Sequence, residues 1–494
     1  LLSAKLVITY LVSLTATTVA YRLSPFHPLA RFPGPPFWAA SSLFLAIAAL
    51  GGQRYLIIDA LHAKYGEFVR LGPDVLSVTS PHAPRVVYGS AFGLDKGEYY
   101  RRPGRGAGTG LFFKQPRLHH FRRKKIWKRA FTAAAAEEFL PSLERRTWQL
   151  IECILRRRDK RGRVDLLQCI SHYSWDFMGE FVYGGASSLE LMRDGDVHGL
   201  ISEGKTGLKL FDSLGHVPWL MDILWHAPAG NAVHSLFDIA TAMIRERCGL
   251  ASVPFRDLVS YLLEGDPVSG EQIPADELGD DAAIATQSSS DTTSSTLATI
   301  FTFLLTHPSA LTALRKELEQ SIDAADGPLD PRVLAGLPYL DAVINEALRL
   351  VPPLFSPRVV PPDGVAIGDT FVPPGTITVI SAYTQQTDPK YFYPDPKAFR
   401  PERWLPGSLG PGSVLRRDIF LPFSAGTFIC VAKDWALLQA RFVTARLVLT
   451  LDLALPPPED FDKDRFYASY RNHRSTSFGL PFAVEARARH EVDV

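Results

Sequence analysis

One cysteine, Cys430, stands between a glycine-containing loop and a long apolar run of helical period, and no other feature limits the fold so tightly. The stretch from Ile419 to Leu438 places it there, and the apolar pattern continues to about Leu451. A cysteine at the N-terminal end of a helix meets unpaired backbone N–H groups and the positive end of the helix dipole, both of which favour negative charge. Such a place lowers a thiol pKa and stabilises thiolate, the form that binds metals. Gly426 lets the backbone turn tightly beneath the sulfur, and Phe423 and Phe428 keep water away. A lone buried cysteine is more often an inert small hydrophobe. The ligand reading therefore needs support from the rest of the chain.

The totals exclude several classes. A chain of 494 residues, 46% hydrophobic and 21% charged, is globular and able to bury a large core. A net charge of +1 gives no reason to expect nucleic acid as a partner. The four cysteines (Cys153, Cys169, Cys248 and Cys430) are widely spaced without a C-x-x-C pair, which speaks against a disulfide framework or a zinc site. The 38 prolines gather in the first forty residues and the last third, so those parts are expected to be rich in loops.

Residues 1–22 are almost wholly apolar apart from Lys5 and the closing Arg22, long enough to cross the hydrocarbon layer as a helix. No small-residue cleavage site follows cleanly, which favours an anchor over a signal peptide. Basic residues just after the span, Arg22 and Arg31, favour a cytosolic body. Residues 23–50 then form a stiff proline-rich hinge and a second apolar run, Phe37–Leu50, read as an interfacial or buried helix. The remainder, residues 51–494, reads as one catalytic domain.

Within it, Tyr55–Tyr65 is an amphipathic helix closed by Gly66, followed by two short strands around Phe68–Leu71 and Val75–Thr79. Lys96–Lys114 reads as a loop over a pocket. The basic run His119–Phe131 is mainly a solvated helix face, although His120 and Lys124 share one side at i, i+4 and Trp127 lies near it. Residues 136–280 read as helices, with Trp175, Phe177, Phe181 and Tyr183 packing in the core and the basic run Arg156–Arg163 on the surface. Asp280–Thr306 is a helix carrying a Ser/Thr-rich patch, Ser288–Thr293, of the kind that opens or bends a helix locally. Glu346 and Arg349 share a helix face. A rigid segment, Pro352–Arg358, follows, and Val365–Val372 with Thr376–Tyr383 are expected to form a β-hairpin through Pro373-Pro374-Gly375.

Phe423-x-x-Gly426-x-x-x-Cys430 resembles the haem-binding loop of the cytochrome P-450 superfamily, whose cysteine thiolate is the axial iron ligand. Phe428 and Ala432 depart from the usual Arg and Gly of that pattern. Asp291-Thr292 is similar to the family's acid–alcohol pair, with Ser288-Ser289 in place of the usual Ala-Gly. Glu346-x-x-Arg349 and the later Phe399–Trp404 segment, with Arg403, resemble the family's structural triad. The motifs stand in family order, and the chain is most similar to the membrane-bound fungal type.

The resemblance implies a mainly α fold with a small β region around a buried haem b, bound to iron through Cys430. It implies that His120, Lys124 and Arg358 hold the propionates, with Trp127 beside them, and that Phe423 and Gly426 shape the loop. Asp291 and Thr292 would manage protons, while Glu346, Arg349 and Arg403 would be structural. The implied reaction inserts one atom of O2 into a small apolar substrate, whose pocket would draw on residues 99–115, residues near 208–225, Ser288–Thr292, Leu354–Ser356 and Arg474–Phe478. Electrons would come from NADPH through NADPH-cytochrome P-450 reductase, docked on the basic face near Cys430 at the endoplasmic reticulum membrane. Two alternatives stand beside it. Ser288-Ser289 motivates a haem-thiolate isomerase, dehydratase or peroxygenase that needs no reductase, and the combined departures motivate a member without activity.

Overall fold

Apolar residues recurring at helical spacing turn most of this chain into helices that bury one stripe against each other. The structure is a computed structural model that describes residues 2–89, 93–101, 109–185, 189–197, 199–227, 231–250, 252–322, 327–352 and 356–489. Helix α1 (Leu2–Leu23) leads, and its Ala4–Leu23 portion is long and apolar enough to cross a membrane, with none of its residues buried in the body. Two bonds tie its end to that body: Arg22 donates to the Ala40 carbonyl at 2.9 Å, and the buried Arg70 donates to the Arg22 carbonyl at 3.1 Å.

The second apolar run does not make one helix. Pro36–Ala40 and Leu43–Leu50 are separate, because Ser41 adopts an extended conformation (φ −153°, ψ 134°) that ends the first. Beyond them, β1 (Phe68–Arg70) and β2 (Val75–Val78) pair antiparallel.

Five further helices position the site: α2 (Arg117–Lys128), α3 (Leu166–Tyr183), α4 (Ala275–Thr306), α5 (Pro338–Leu350) and α6 (Lys433–Thr450). The 32-residue α4 packs along α3 and against α5 and α6. Leu297, Ile300, Phe301 and Leu304 share a core with Ile170, Tyr173 and Phe177 of α3 and Phe442 and Val443 of α6. Each such large side chain stabilises the fold by about 1.5–3 kcal/mol when fully buried. Trp175, Phe177, Phe181 and Tyr183 are buried in this packing.

The Ser/Thr patch leaves α4 continuous. Its hydroxyls satisfy themselves on the preceding turn: Thr292 donates to the Ser288 carbonyl at 2.7 Å and Thr296 to that of Thr292 at 2.7 Å. Buried neighbours on either side of the patch keep the helix from opening where an isolated one would.

The expected hairpin through Pro373-Pro374-Gly375 does not form. Val365–Ile367 pairs instead with Thr370–Val372 through a turn in which Gly368 has φ +60°. Two prolines cannot donate to a ladder, and the chain passes through them into the other sheet. There β3 (Arg358–Val359) and β4 (Ile377–Ile380) complete the order β1-β2-β4-β3, with β4 parallel to β2 and antiparallel to β3.

Nor is the basic face of α2 wholly solvated. Arg123 is buried and ion-paired to Asp281 and Glu277 of α4, and Lys125 meets Asp266 at 2.8 Å. Arg122 and Lys128 remain exposed.

Candidate haem site

The loop before α6 is shaped by one glycine. Gly426 has φ +61°, and a Cβ there would collide with the Tyr88 carbonyl oxygen, so only glycine passes beneath the helix that ends at Tyr88. The turn carries Cys430 to a point three residues before α6, where its own N–H donates to the Phe423 carbonyl at 2.9 Å. Phe423 and Cys430 line a cavity together. Cys430 has accessible surface although its sulfur lies deep within the molecule, because the surface it exposes is cavity wall.

Burial pushes the Cys430 thiol up, and the facing Ala432 N–H and the Lys124 ammonium only partly offset it. The helix N-terminus alone therefore does not lower this thiol below its ordinary value. Ala432 has φ −98°, a conformation in which alanine is as comfortable as glycine.

Cations surround the space beside the loop. Lys96, Lys124, Arg358 and Arg474 line the cavity, and no Asp or Glu does among the described residues. Lys124 donates to the Thr427 and Ile429 carbonyls at 2.9 and 2.6 Å, clamping the loop on both sides of Phe428. Burial lowers its ammonium to about 8, while Cys430 acts to raise it. Arg358 donates to the Tyr100 hydroxyl at 2.7 Å, and its Nε is buried without a partner. His120 is buried with Nδ1 unpartnered, and burial next to Lys96, Lys124 and Arg358 holds its imidazole neutral. Trp127 also lines the cavity, but its indole N–H donates to Asp281 at 3.0 Å.

Phe428, at the position where the family resemblance leads one to expect Arg, sits among these cations. The Arg358 guanidinium lies 4.8 Å and the Lys96 ammonium 5.0 Å from its ring centroid, and the His120 ring 4.7 Å away. An arginine there would add a further positive charge to the group, whereas the negative face of a phenyl ring attracts cations.

A further part of the wall is α4. Ser288, Ser289, Thr292, Thr293 and Thr296 reach the same cavity as Cys430. Asp291 points away from it, into a neighbouring cleft shared with Lys205. Its carboxylate accepts a hydrogen bond from Gln287, which does line the main cavity, and burial pushes its pKa up to about 6 against the pull of Lys205.

Behind the loop, Glu346 accepts from Arg349 at 2.8 and 2.7 Å, from Arg403 at 3.3 Å and from the Trp404 indole at 3.0 Å. Arg349 also donates to the carbonyls of Gln386, Pro396 and Ala398. None of these three ionic side chains lines the cavity.

Sequence reasoning passes over Lys96 and Asp281, whereas Arg474, expected at the pocket, does line the cavity. Lys96 reads along the chain only as the start of a loop, yet it is buried, its ammonium donating to the Phe112 carbonyl at 2.6 Å and lowered by burial. Asp281 gathers the Leu111 N–H, the Trp127 indole and Arg123. Nothing local marks a lone Lys or Asp as buried; only the charge run of α2, which demands counter-ions once packed, is a signal. Of the segments expected to line a pocket, residues 102–108 and 353–355 lie outside the described residues, whereas Ser356 does line the cavity.

These residues fit an iron porphyrin. The Cys430 thiol facing the cavity would be available to the iron, and the unpartnered His120 Nδ1 and Arg358 Nε, with Lys96 beside them, would be available to anionic oxygens. Fold and site together fit a haem protein, mainly helical with a small β region. The family model described as Cytochrome P450 matches residues 32–482, and the chain belongs to that family. It is 30% identical to tryprostatin B 6-hydroxylase of Neosartorya fischeri over 92% of this chain and 82% of that protein. It is 31% identical to the protein of the same name from Aspergillus fumigatus, over 92% of this chain and 80% of that one. It is also 31% identical to cytochrome P450 monooxygenase sthD of Phaeosphaeria nodorum, over 92% of this chain and 94% of that one. The chain is therefore an oxidoreductase, a monooxygenase with a haem iron cofactor acting on an organic substrate with O2.

Proposed function

We propose that this chain is a membrane-anchored haem b monooxygenase of secondary metabolism that draws its electrons from NADPH through NADPH-cytochrome P-450 reductase. The observation that carries the reading is that Cys430 and Thr292, from the loop before α6 and from α4, line one cavity. Bound there, the haem supplies the activation of O2, one atom of which enters the substrate while the other leaves as water with two protons and two electrons.

The residues around it bind, orient and move protons. Cys430 would hold the iron through its sulfur, with Gly426 and the Lys124 clamp fixing its loop. His120, Lys96 and Arg358 take the propionates, and Trp127 fixes α2 to α4 through Asp281 rather than touching them. Thr292 presents its hydroxyl to the oxygen side. Asp291, with a pKa near 6, holds an exchangeable proton in the cleft it shares with Lys205, and Gln287, which donates to its carboxylate and lines the cavity, orients it there. Phe112, Phe113, Phe211 and Phe237 give the cavity an apolar wall for the substrate. The relatives named as tryprostatin B 6-hydroxylases support hydroxylation of an organic substrate of comparable class.

Helix α1 would anchor the chain in the endoplasmic reticulum membrane with the body in the cytosol, and the exposed Arg122 and Lys128 would meet an acidic face of the reductase. Purified protein should contain stoichiometric haem and give a thiolate-type Soret band in its reduced carbon monoxide complex. Cys430→Ala should abolish that band, and its survival would show that another residue binds the iron. Turnover that proceeds without reductase would remove the redox partner from this reading.

A further inference from the structure

Resting on that reading, we propose that the substrate is an organic acid, and that Arg474 holds its carboxylate. Arg474 stands at the tip of the hairpin formed by Tyr470–Asn472 and Thr476–Phe478, and the tip reaches the cavity. The residue is 4% exposed. One terminal nitrogen donates to the Tyr99 and Phe211 carbonyls at 2.8 and 3.2 Å, while Nε and the other terminal nitrogen are buried with no partner. Its guanidinium lies 4.3 Å from the Tyr99 ring centroid and 5.5 Å from that of Phe112. A charged group with two unmade hydrogen bonds in an aromatic setting is costly unless an acceptor completes it.

The protein does not supply that acceptor among the described residues. The carboxylate that feels Arg474 is Asp212, whose Oδ1 accepts from Arg54 at 3.2 Å and from the Tyr99 hydroxyl and whose Oδ2 lies 3.1 Å from Arg54, so that its ion pair is with Arg54 and not with Arg474. Arg474 forms no ion pair among the described residues. Nor does the cofactor use this charge. Arg358, Lys96 and His120, which surround Phe428, match the two propionates, and Lys124 lies beside them clamping the Cys430 loop, whereas Arg474 makes no contact with Phe428 or that loop among the described residues. Of the four cavity cations among the described residues, Arg474 alone is left over, and it lies among Tyr99, Phe112 and Phe211, where an apolar body would rest. A ligand with an aromatic or aliphatic body and one carboxylate matches both halves of that wall.

The test is equilibrium binding to haem-loaded protein at neutral pH, by calorimetry and by the ligand-induced Soret shift. The probes are ω-phenylalkanoic acids of graded chain length, each beside its methyl ester. At least one acid should bind wild type roughly tenfold or more tightly than its ester, the scale of a charge-assisted hydrogen bond. Arg474→Met should remove the preference while keeping the haem spectrum and the ester affinity, and Arg474→Lys should keep part of it. If no acid of the series outbinds its ester on haem-replete wild type, this inference fails and the monooxygenase reading stands. A preference that survives in Arg474→Met, or haem lost from that variant, also overturns it, the latter by assigning Arg474 to the cofactor. Wild type that takes up no haem overturns the underlying reading and this one with it.

Discussion

Asp291 is a buried carboxylate facing one amide and one lysine, and its proton is held far more firmly than usual. Its pKa, raised by burial from 3.8 to about 6, is higher in the folded than in the unfolded chain. Such a group favours the fold fully below the unfolded value and loses that contribution as pH rises through about 6. Asp291→Asn should therefore be more stable than wild type at neutral pH by about 1–3 kcal/mol, since a tenfold change in proton affinity corresponds to roughly 1.4 kcal/mol. The gap should close on acidification to about pH 4. Urea unfolding across that range measures it, and a gap independent of pH would show that Asp291 does not titrate there. If the residue relays protons, the same variant should lose the pH-rate limb near 6.

At the scale of elements, α5 and the Arg403 segment meet through a buried ionic cluster rather than apolar contact alone. An exposed Glu-x-x-Arg pair stabilises by a few tenths of a kcal/mol, but Glu346 and Arg349 are fully buried and Arg403 nearly so. Removing the one carboxylate leaves two guanidinium groups uncompensated. Glu346→Ala should cost about 3–5 kcal/mol, seen as a lower denaturation midpoint and poor haem retention, with Glu346→Gln milder because an acceptor remains. A variant as stable as wild type would mean that the backbone carbonyls around Arg349 suffice without Glu346.

For the whole molecule, α1 is the one long described helix with none of its apolar span buried, so the body should not depend on it. Removing residues 2–20, which spares Arg22 and its bond to Ala40, should change unfolding free energy by less than about 0.5 kcal/mol. The same truncation should move the protein from the membrane pellet toward the soluble fraction with its haem spectrum intact. Retention in the pellet would place the membrane contact elsewhere, with the exposed Phe37, Phe44 and Ile47 as the next candidates.

What could be read along the chain was local. Helical period, the glycine turn before Cys430, the hydroxyl-rich face of α4 and the i, i+3 pair of α5 each depend on neighbours within a few residues, and these were legible. So was the departure at Ala432, whose effect turned only on the sign of one dihedral angle. The partners of β4 were not legible, because pairing with a strand some three hundred residues earlier leaves no mark on either segment. Burial of Arg123 and Lys96 was equally hidden, since a cation looks the same in sequence whether it meets water or a carboxylate. The amino-acid sequence by itself determined which residues can ligate, cap and pack. Tertiary structure decided which charges share one cavity, because Lys96, Lys124, Arg358 and Arg474 come from segments that only folding brings together, and the field between charges depends on distance in space.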